Sequence, residues 1–243
     1  MYEFYVKLAN INIKITCNYE TSRDYYKDYV IQDDKTSEFE VSVDRNDLNY
    51  VLNLINNSNY SHKDKQDKYL EILSINSKIA KKLCEYDKFV THGAAISYKN
   101  KGYIFIAPSG TGKTTHIELW KKNLKDVEII NGDKPIISID DDGIYIYGSP
   151  WSGKENYNKN KKVKLDSIIV IKRATQDRIV DIDKNELFNE ILDKIYYSDD
   201  KNKTLELIDK AFKNIKYYKL ECTMNNSAFE VAYKKLVGEQ NEI

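Results

Sequence analysis

Ala107-Pro108-Ser109-Gly110-Thr111-Gly112-Lys113-Thr114 joins an apolar tetrapeptide, Tyr103-Ile104-Phe105-Ile106, to a segment that reads as a helix from about Lys113 to Lys122. A phosphate-binding loop needs those parts in that order: a strand, a loop whose N–H groups converge on phosphate oxygens, a lysine, a hydroxyl for magnesium and a helix. Gly110 and Gly112 permit the tight curl, so that Ser109, Gly110, Thr111 and Gly112 can present backbone donors. Lys113 offers the ammonium, Thr114 the Mg2+ ligand, and Thr115 extends the binding run. Ala107 stands where such loops carry their first glycine. That position is the one farthest from the lysine, so its Cβ is expected to be tolerated. The expected ligands are ATP and Mg2+.

Glycine and proline, which mark unusual backbone, gather around this loop. Eight of the nine glycines lie between Gly93 and Gly153, and all three prolines, Pro108, Pro135 and Pro150, fall there too. A turn-rich half of an ordinary fold would explain their scarcity elsewhere but not the clustering.

Outward from the loop the pattern is mixed α/β. Phe4, Val6 and Leu8 alternate, then Ile11, Ile13 and Ile15 alternate in shifted phase, which predicts two strands interrupted near Asn10. Phe39, Val41 and Val43 predict another strand, and Ile72, Ile75, Ile79 and Leu83 recur at helical spacing. Residues 57–66 read as a polar loop. Further strands are expected over 88–98, 103–106, 127–130, 135–139, 144–147, 168–171 and 216–221, with a turn at Asn100-Lys101-Gly102 and a hairpin at Asp142-Gly143. Helices are expected over 185–197, 203–214 and 227–237. The fold class is therefore α/β, an α+β mixed sheet, with residues 1–87 as a small β-rich N-terminal region packed on a phosphate-loop core of 88–243.

Composition narrows the function. At 243 residues the chain can bury a sizeable core. Thirty-eight Lys+Arg against 38 Asp+Glu leave no net field to gather nucleic acid or an anionic membrane. No apolar run is long enough to suggest a membrane span, and the start lacks the pattern of a signal peptide, so a cytoplasmic protein is expected. Cys17, Cys84 and Cys222 lack metal-ligand spacing and read as buried thiols.

The run Ser109-Gly110-Thr111-Gly112-Lys113-Thr114-Thr115, preceded by Thr91-His92-Gly93 and followed by Asn131-Gly132-Asp133, resembles the HPr serine kinase and phosphoenolpyruvate carboxykinase superfamily. In HPr kinase a His-Gly pair starts the strand before the loop, and an acidic motif ends the strand after the loop's helix. His92 and Asp133 occupy those places. The resemblance covers roughly 88–175 and is nearest to compact HPr kinase-like proteins, including small serine kinases and kinases that modify biosynthetic precursor peptides.

What the resemblance implies is phosphoryl transfer from ATP to a hydroxyl, chemistry that rests on positioning and charge stabilisation. Lys113 and the loop would hold the phosphates, and Thr114 the metal. Asp133 would accept the hydroxyl proton or help bind magnesium, and His92 would orient or charge-balance it. HPr kinase has two adjacent acids where this chain has Gly132-Asp133, which leaves base and metal ligand both open.

Gly148-Ser149-Pro150-Trp151-Ser152-Gly153-Lys154 is a second unusual loop that could close over the phosphates, with Lys154 on the γ-phosphate; a structural turn with Trp151 buried is the alternative. Lys159, Lys161, Lys162 and Lys164 read as a solvated basic loop that could also receive an acidic peptide. Asp140-Asp141-Asp142 reads as a hairpin tip, and His116 with Trp120, four residues apart on one helix face, as packing. The expected function is an ATP-dependent serine kinase acting on a peptide or protein, self-association being an expectation by resemblance. A free-serine kinase and a non-catalytic ATP sensor are the rivals. A carboxykinase proper would need a much longer chain.

Overall fold

The computed structural model describes residues 1–32, 36–57, 66–213 and 215–238. The expected polar loop at 57–66 lies almost wholly outside the described residues. Within them the chain forms a mixed α/β structure with two sheets and seven α-helices.

The first sheet begins with strands β1 (Tyr2–Leu8) and β2 (Ile11–Cys17), joined by Ala9 and Asn10 at φ 47° and 67°. Two positive-φ residues give a turn whose twist suits a hairpin. The register pairs Leu8 with Ile11, Val6 with Ile13 and Phe4 with Ile15, so the phase shift in the sequence puts both apolar sets on one face. Strand β3 (Val30–Ile31) adds antiparallel to β1, and β4 (Phe39–Ser42) adds parallel to β2. Helices α1 (Glu20–Tyr25), α2 (Arg45–Asn57) and α3 (Asp67–Leu83) accompany this sheet. Neither α1 nor α2 is among the expected elements, although Leu48, Val51 and Ile55 of α2 recur at helical spacing.

The N-terminal elements do not end at their own core. Tyr26, Ile75 and Leu83 share one buried cluster with Val90, Ile136, Tyr147 and Trp151. The Asn10 side-chain amide donates to the Tyr147 hydroxyl at 2.9 Å.

The second sheet has nine strands: β5 (Lys88–Val90), β6 (Ala94–Tyr98), β7 (Lys101–Ile106), β8 (Glu128–Asn131), β9 (Ile136–Asp140), β10 (Gly143–Tyr147), β11 (Lys162–Arg173), β12 (Arg178–Asp181) and β13 (Lys216–Cys222). Its main path runs β5-β9-β10-β11-β7-β6-β8. The long strand β11 branches it, pairing β10 through 162–164 and β13 in parallel through 167–173. Strand β7 lies in parallel with β11 on one side and antiparallel to β6 on the other. Its side chains divide between two cores, as a strand covered on both faces must. Ile104 and Ile106 pack with helices α5 (Lys184–Ile191) and α6 (Lys201–Ala211), while Tyr103 and Phe105 pack with α4 (Lys113–Asn123) and α7 (Asn226–Val237).

Four sequence expectations are corrected. Residues 88–98 form two strands, not one, because β5 pairs β9 whereas β6 pairs β7 and β8; the chain breaks at Thr91-His92-Gly93. The turn before β7 is Lys99-Asn100, both at positive φ, and Gly102 lies inside the strand, where a Cβ would stand 2.9 Å from the Lys164 carbonyl oxygen. Lys162 and Lys164 belong to β11 rather than to a loop. The helix expected over 185–197 stops at Ile191, followed by a 3-10 turn over Leu192–Lys194, and Ile195 bridges to Thr91. Among the described residues no helix is long and apolar enough to cross a membrane.

Candidate active site

The glycine loop leaves the C-terminal end of β7, in the middle of the sheet, and feeds straight into α4. Gly110 and Gly112 take φ 75° and 117°, values an L side chain resists. Gly112 is the N-cap of α4 and no side chain caps the helix, so its first N–H groups and its positive dipole end lie open to an anion. Thr114 and Thr115 are half-buried in the first turn. Lys113 is buried, and its Nζ donates to the Ala107 carbonyl at 3.0 Å, closing the loop on itself. Burial lowers the Lys113 pKa, an effect the Asp133 carboxylate opposes. On the outer side, Arg173 at the end of β11 donates from Nε to the Thr111 carbonyl at 3.2 Å and from Nη2 to the Gly110 carbonyl at 2.5 Å. Together the loop residues 108–111 and 171–173 border a cavity of about 310 Å3.

Asp133 follows β8 and is fixed by its backbone before its side chain acts. The fully buried Asn131 accepts the N–H groups of Asp133 and Lys134 on Oδ1 at 2.9 and 2.7 Å, and donates from Nδ2 to the Ser149 carbonyl at 2.9 Å. Ser149 Oγ donates to the Lys134 carbonyl at 2.6 Å, and the Gly93 N–H donates to the Asp133 carbonyl at 2.8 Å. The His92 N–H in turn donates to the Lys194 carbonyl at 2.7 Å. These bonds bring His92 Nε2 to 3.1 Å from Asp133 Oδ1 and Lys134 Nζ to 2.5 Å from Oδ2. Burial alone would raise the Asp133 pKa. The His92 hydrogen bond and the Lys134 charge outweigh it and hold the carboxyl far below the usual carboxylate range.

A cavity of about 550 Å3 opens beside Asp133 and Lys134. Trp151, buried at 4 % exposure, and the exposed Lys154 border it from the loop after β10, and α3 supplies the facing wall. Gly153 allows this closeness: it takes φ 75°, and a Cβ there would lie 3.2 Å from that of Asp133. His92 and Asp133 are thus brought into contact, Lys113 feels the Asp133 charge, and Lys154 joins Asp133 at the cavity rather than the glycine loop's own recess. A cavity of about 780 Å3 lies apart from all of these, between β4, α3 and the start of α6, with both charge signs on its walls.

His116 and Trp120 are buried in packing, Trp120 Nε1 donating to His116 Nε2 at 3.1 Å. Asp141 and Asp142 form the β9–β10 turn. Lys159 and Lys161 pair with Glu128, and Lys162 with Asp140. Sequence reasoning missed Arg173, Asn131, Ser149 and Lys194. Lys194 is a buried lysine whose charge helps lower the Lys113 pKa. Asn131 and Ser149 stand inside motifs the sequence marks, but their roles depend on the contact between them, and Arg173 and Lys194 act on residues distant in sequence.

No protein-family model and no curated protein matches the chain.

Proposed function

We propose that the protein is an ATP-dependent kinase with a core of the HPr kinase type, transferring the γ-phosphate to a serine or similar hydroxyl of a peptide or protein in the cytoplasm. The observation that carries this reading is the position of Asp133, coupled to the glycine-loop lysine through its charge and bordering a ligand-sized cavity.

The residues fit a magnesium nucleotide. The uncapped start of α4, the two positive-φ glycines and Lys113 form a cradle for phosphate oxygens. Among the described residues no cluster of three or more His, Cys, Asp or Glu side chains could hold a metal ion by itself. Magnesium would therefore arrive with the phosphates, held by the Thr114 hydroxyl and Asp133, and would neutralise charge on the transferring group.

Asp133 stays ionised at any physiological pH and accepts a hydrogen bond from the incoming hydroxyl. So acidic a carboxylate takes the proton only late, which a loose phosphoryl-transfer transition state permits. His92 positions Asp133, and Lys134 balances its charge. In the balanced step, the hydroxyl oxygen bonds to the γ-phosphorus as the bond to the bridging oxygen breaks; ADP leaves, and the hydroxyl proton goes to Asp133.

The test uses ATP labelled at the γ-phosphate, with magnesium, wild-type and Asp133→Asn protein, free serine and a cell extract. Label on a polypeptide, lost by about 10²- to 10⁴-fold in the variant, supports the proposal. Label on serine moves the reading to a small-molecule kinase. Label that never leaves ATP, with equal binding by both proteins, replaces it with a nucleotide sensor.

A further inference from the structure

The 550 Å3 cavity has the wrong lining for a small polar acceptor. Along one side α3 contributes Tyr69, Ile72, Leu73, Asn76, Ser77 and Ala80, a continuous helical stripe over three turns. Leu73 and Ala80 of this stripe also pack against the first core, and the half-buried Ile72, Asn76 and Ser77 border the cavity. Facing it stand Val90, Trp151 and Tyr196, with Asp133, Lys134 and Lys154 at the charged end. The α3 wall is fastened to its surroundings through Asn76, whose Oδ1 accepts the Tyr26 hydroxyl at 2.5 Å, while Tyr26 shares a buried cluster with Trp151.

The charges at that end are unequal. Asp133 is already engaged by His92 and Lys134, whereas Lys154 makes no ion pair among the described residues. A volume near 550 Å3 lies within the roughly 300–1,000 Å3 that encloses a drug-sized ligand. Free serine would fill only a small part of it.

Resting on the kinase reading for its chemistry, we infer that this cavity is the acceptor site and takes a peptide segment in which an apolar or aromatic residue flanks the phosphorylated hydroxyl and an acidic residue pairs with Lys154. The apolar neighbour lies against α3 and Trp151, which places the hydroxyl at Asp133. Specificity thus comes from the N-terminal helix and the loop after β10, both outside the glycine loop.

The experiment measures peptide binding and phosphoryl transfer separately. The probe is a fluorescein-labelled hexapeptide with serine between phenylalanine and glutamate, compared with its lysine-for-glutamate counterpart and with free serine. Wild-type protein is expected to bind the acidic peptide at least about tenfold more tightly than the basic one, a gap of about 1.4 kcal/mol. Lys154→Glu should reverse that order. Ser77→Phe, which fills the cavity from the half-buried face of α3, should abolish peptide binding and leave ATP affinity unchanged. Binding that follows this pattern with no transfer keeps the cavity and removes the kinase reading. Transfer to the peptide with KM unaltered in both variants keeps the kinase and overturns the inference. Free serine as the preferred acceptor, or no peptide binding at all, also overturns it.

Discussion

His92 Nε2 stands 3.1 Å from Asp133 Oδ1, a hydrogen-bonding distance across a break between β5 and β6 on one side and the end of β8 on the other. The same break lets the Gly93 N–H hold the Asp133 carbonyl. Side chain and backbone of Asp133 are therefore fixed by two consecutive residues. In one uninterrupted strand, adjacent positions would present their groups in alternating directions.

That pairing gives a pH prediction. Asp133 has a folded pKa well below its unfolded value, so its contribution to stability is complete above about pH 4 and is lost as pH falls from there toward the folded value. Melting curves from about pH 7 to about pH 3 should show wild type losing more Tm on acidification than Asp133→Asn. Parallel curves would mean that the His92 and Lys134 contacts do not act on the folded state as the geometry requires.

His116 gives a second window. Burial pushes its pKa down to about 4, partly opposed by Asp177, while the unfolded chain takes up the proton near 6.5. Stability is then full above about pH 6.5 and falls by about 3 kcal/mol as pH drops toward 4. His116→Gln, which keeps an acceptor for Trp120, should flatten the ΔG-versus-pH profile in that interval alone.

Arg173 acts on the loop rather than on a ligand it is known to touch. Its two bonds to the Gly110 and Thr111 carbonyls keep the curl in place. Arg173→Ala should weaken ATP binding by about tenfold, the scale of one or two charge-assisted bonds at an exposed site. Lys at this position should not restore it, since an ammonium cannot reproduce the guanidinium fork. Titration with a fluorescent nucleotide reads the outcome.

Glu71 is fully buried on α3 and accepts the N–H groups of Asn18 and Tyr19, the Asn18 amide and the Ser22 hydroxyl, at 2.7–3.1 Å. It ties the start of α1 to the helix that walls the cavity. Glu71→Leu leaves those donors without an acceptor and should cost at least about 3 kcal/mol. At roughly 2–4 °C per kcal/mol this is on the order of 10 °C in Tm by calorimetry.

Two glycines should respond to alanine to very different extents. At Gly148 a Cβ would lie 1.8 Å from the Lys159 carbonyl oxygen and 2.9 Å from that of Ile130, both backbone atoms. Gly148→Ala should destabilise by more than about 4 kcal/mol or fail to fold. At Gly110 nothing stands within 4 Å, and only the positive φ resists a side chain. Gly110→Ala should cost about 1–2 kcal/mol, and its effect should be concentrated on nucleotide affinity.

Legibility of the fold followed the range of the forces involved. The β1–β2 hairpin was readable because alternation and a phase shift are local, and the register pairing Leu8 with Ile11 uses that shift. The glycine loop was readable because its dihedrals and hydroxyls are written into consecutive residues. Residues 88–98 were misread because every position from Lys88 to Val90 and from Gly93 to Tyr98 is buried, so apolar patterning carries no mark of the change in partner strand. Helix α1 is only six residues long and carries no full period, whereas α2 places Leu48, Val51, Leu52 and Ile55 at helical spacing and was legible in the pattern.

By itself the sequence determined where the positive-φ glycine loop joins a strand to a helix and that strands and helices would mix, since local dihedral preference and hydrophobic period suffice for both. Only the tertiary structure decided what surrounds them: Arg173 on the loop, Asn131 and Ser149 behind Asp133, and the α3 stripe that walls the cavity. Those relations join residues as far apart in sequence as Tyr69 and Tyr196, through hydrogen bonds and packing whose partners are chosen when the sheet closes. No preference of a short segment encodes them.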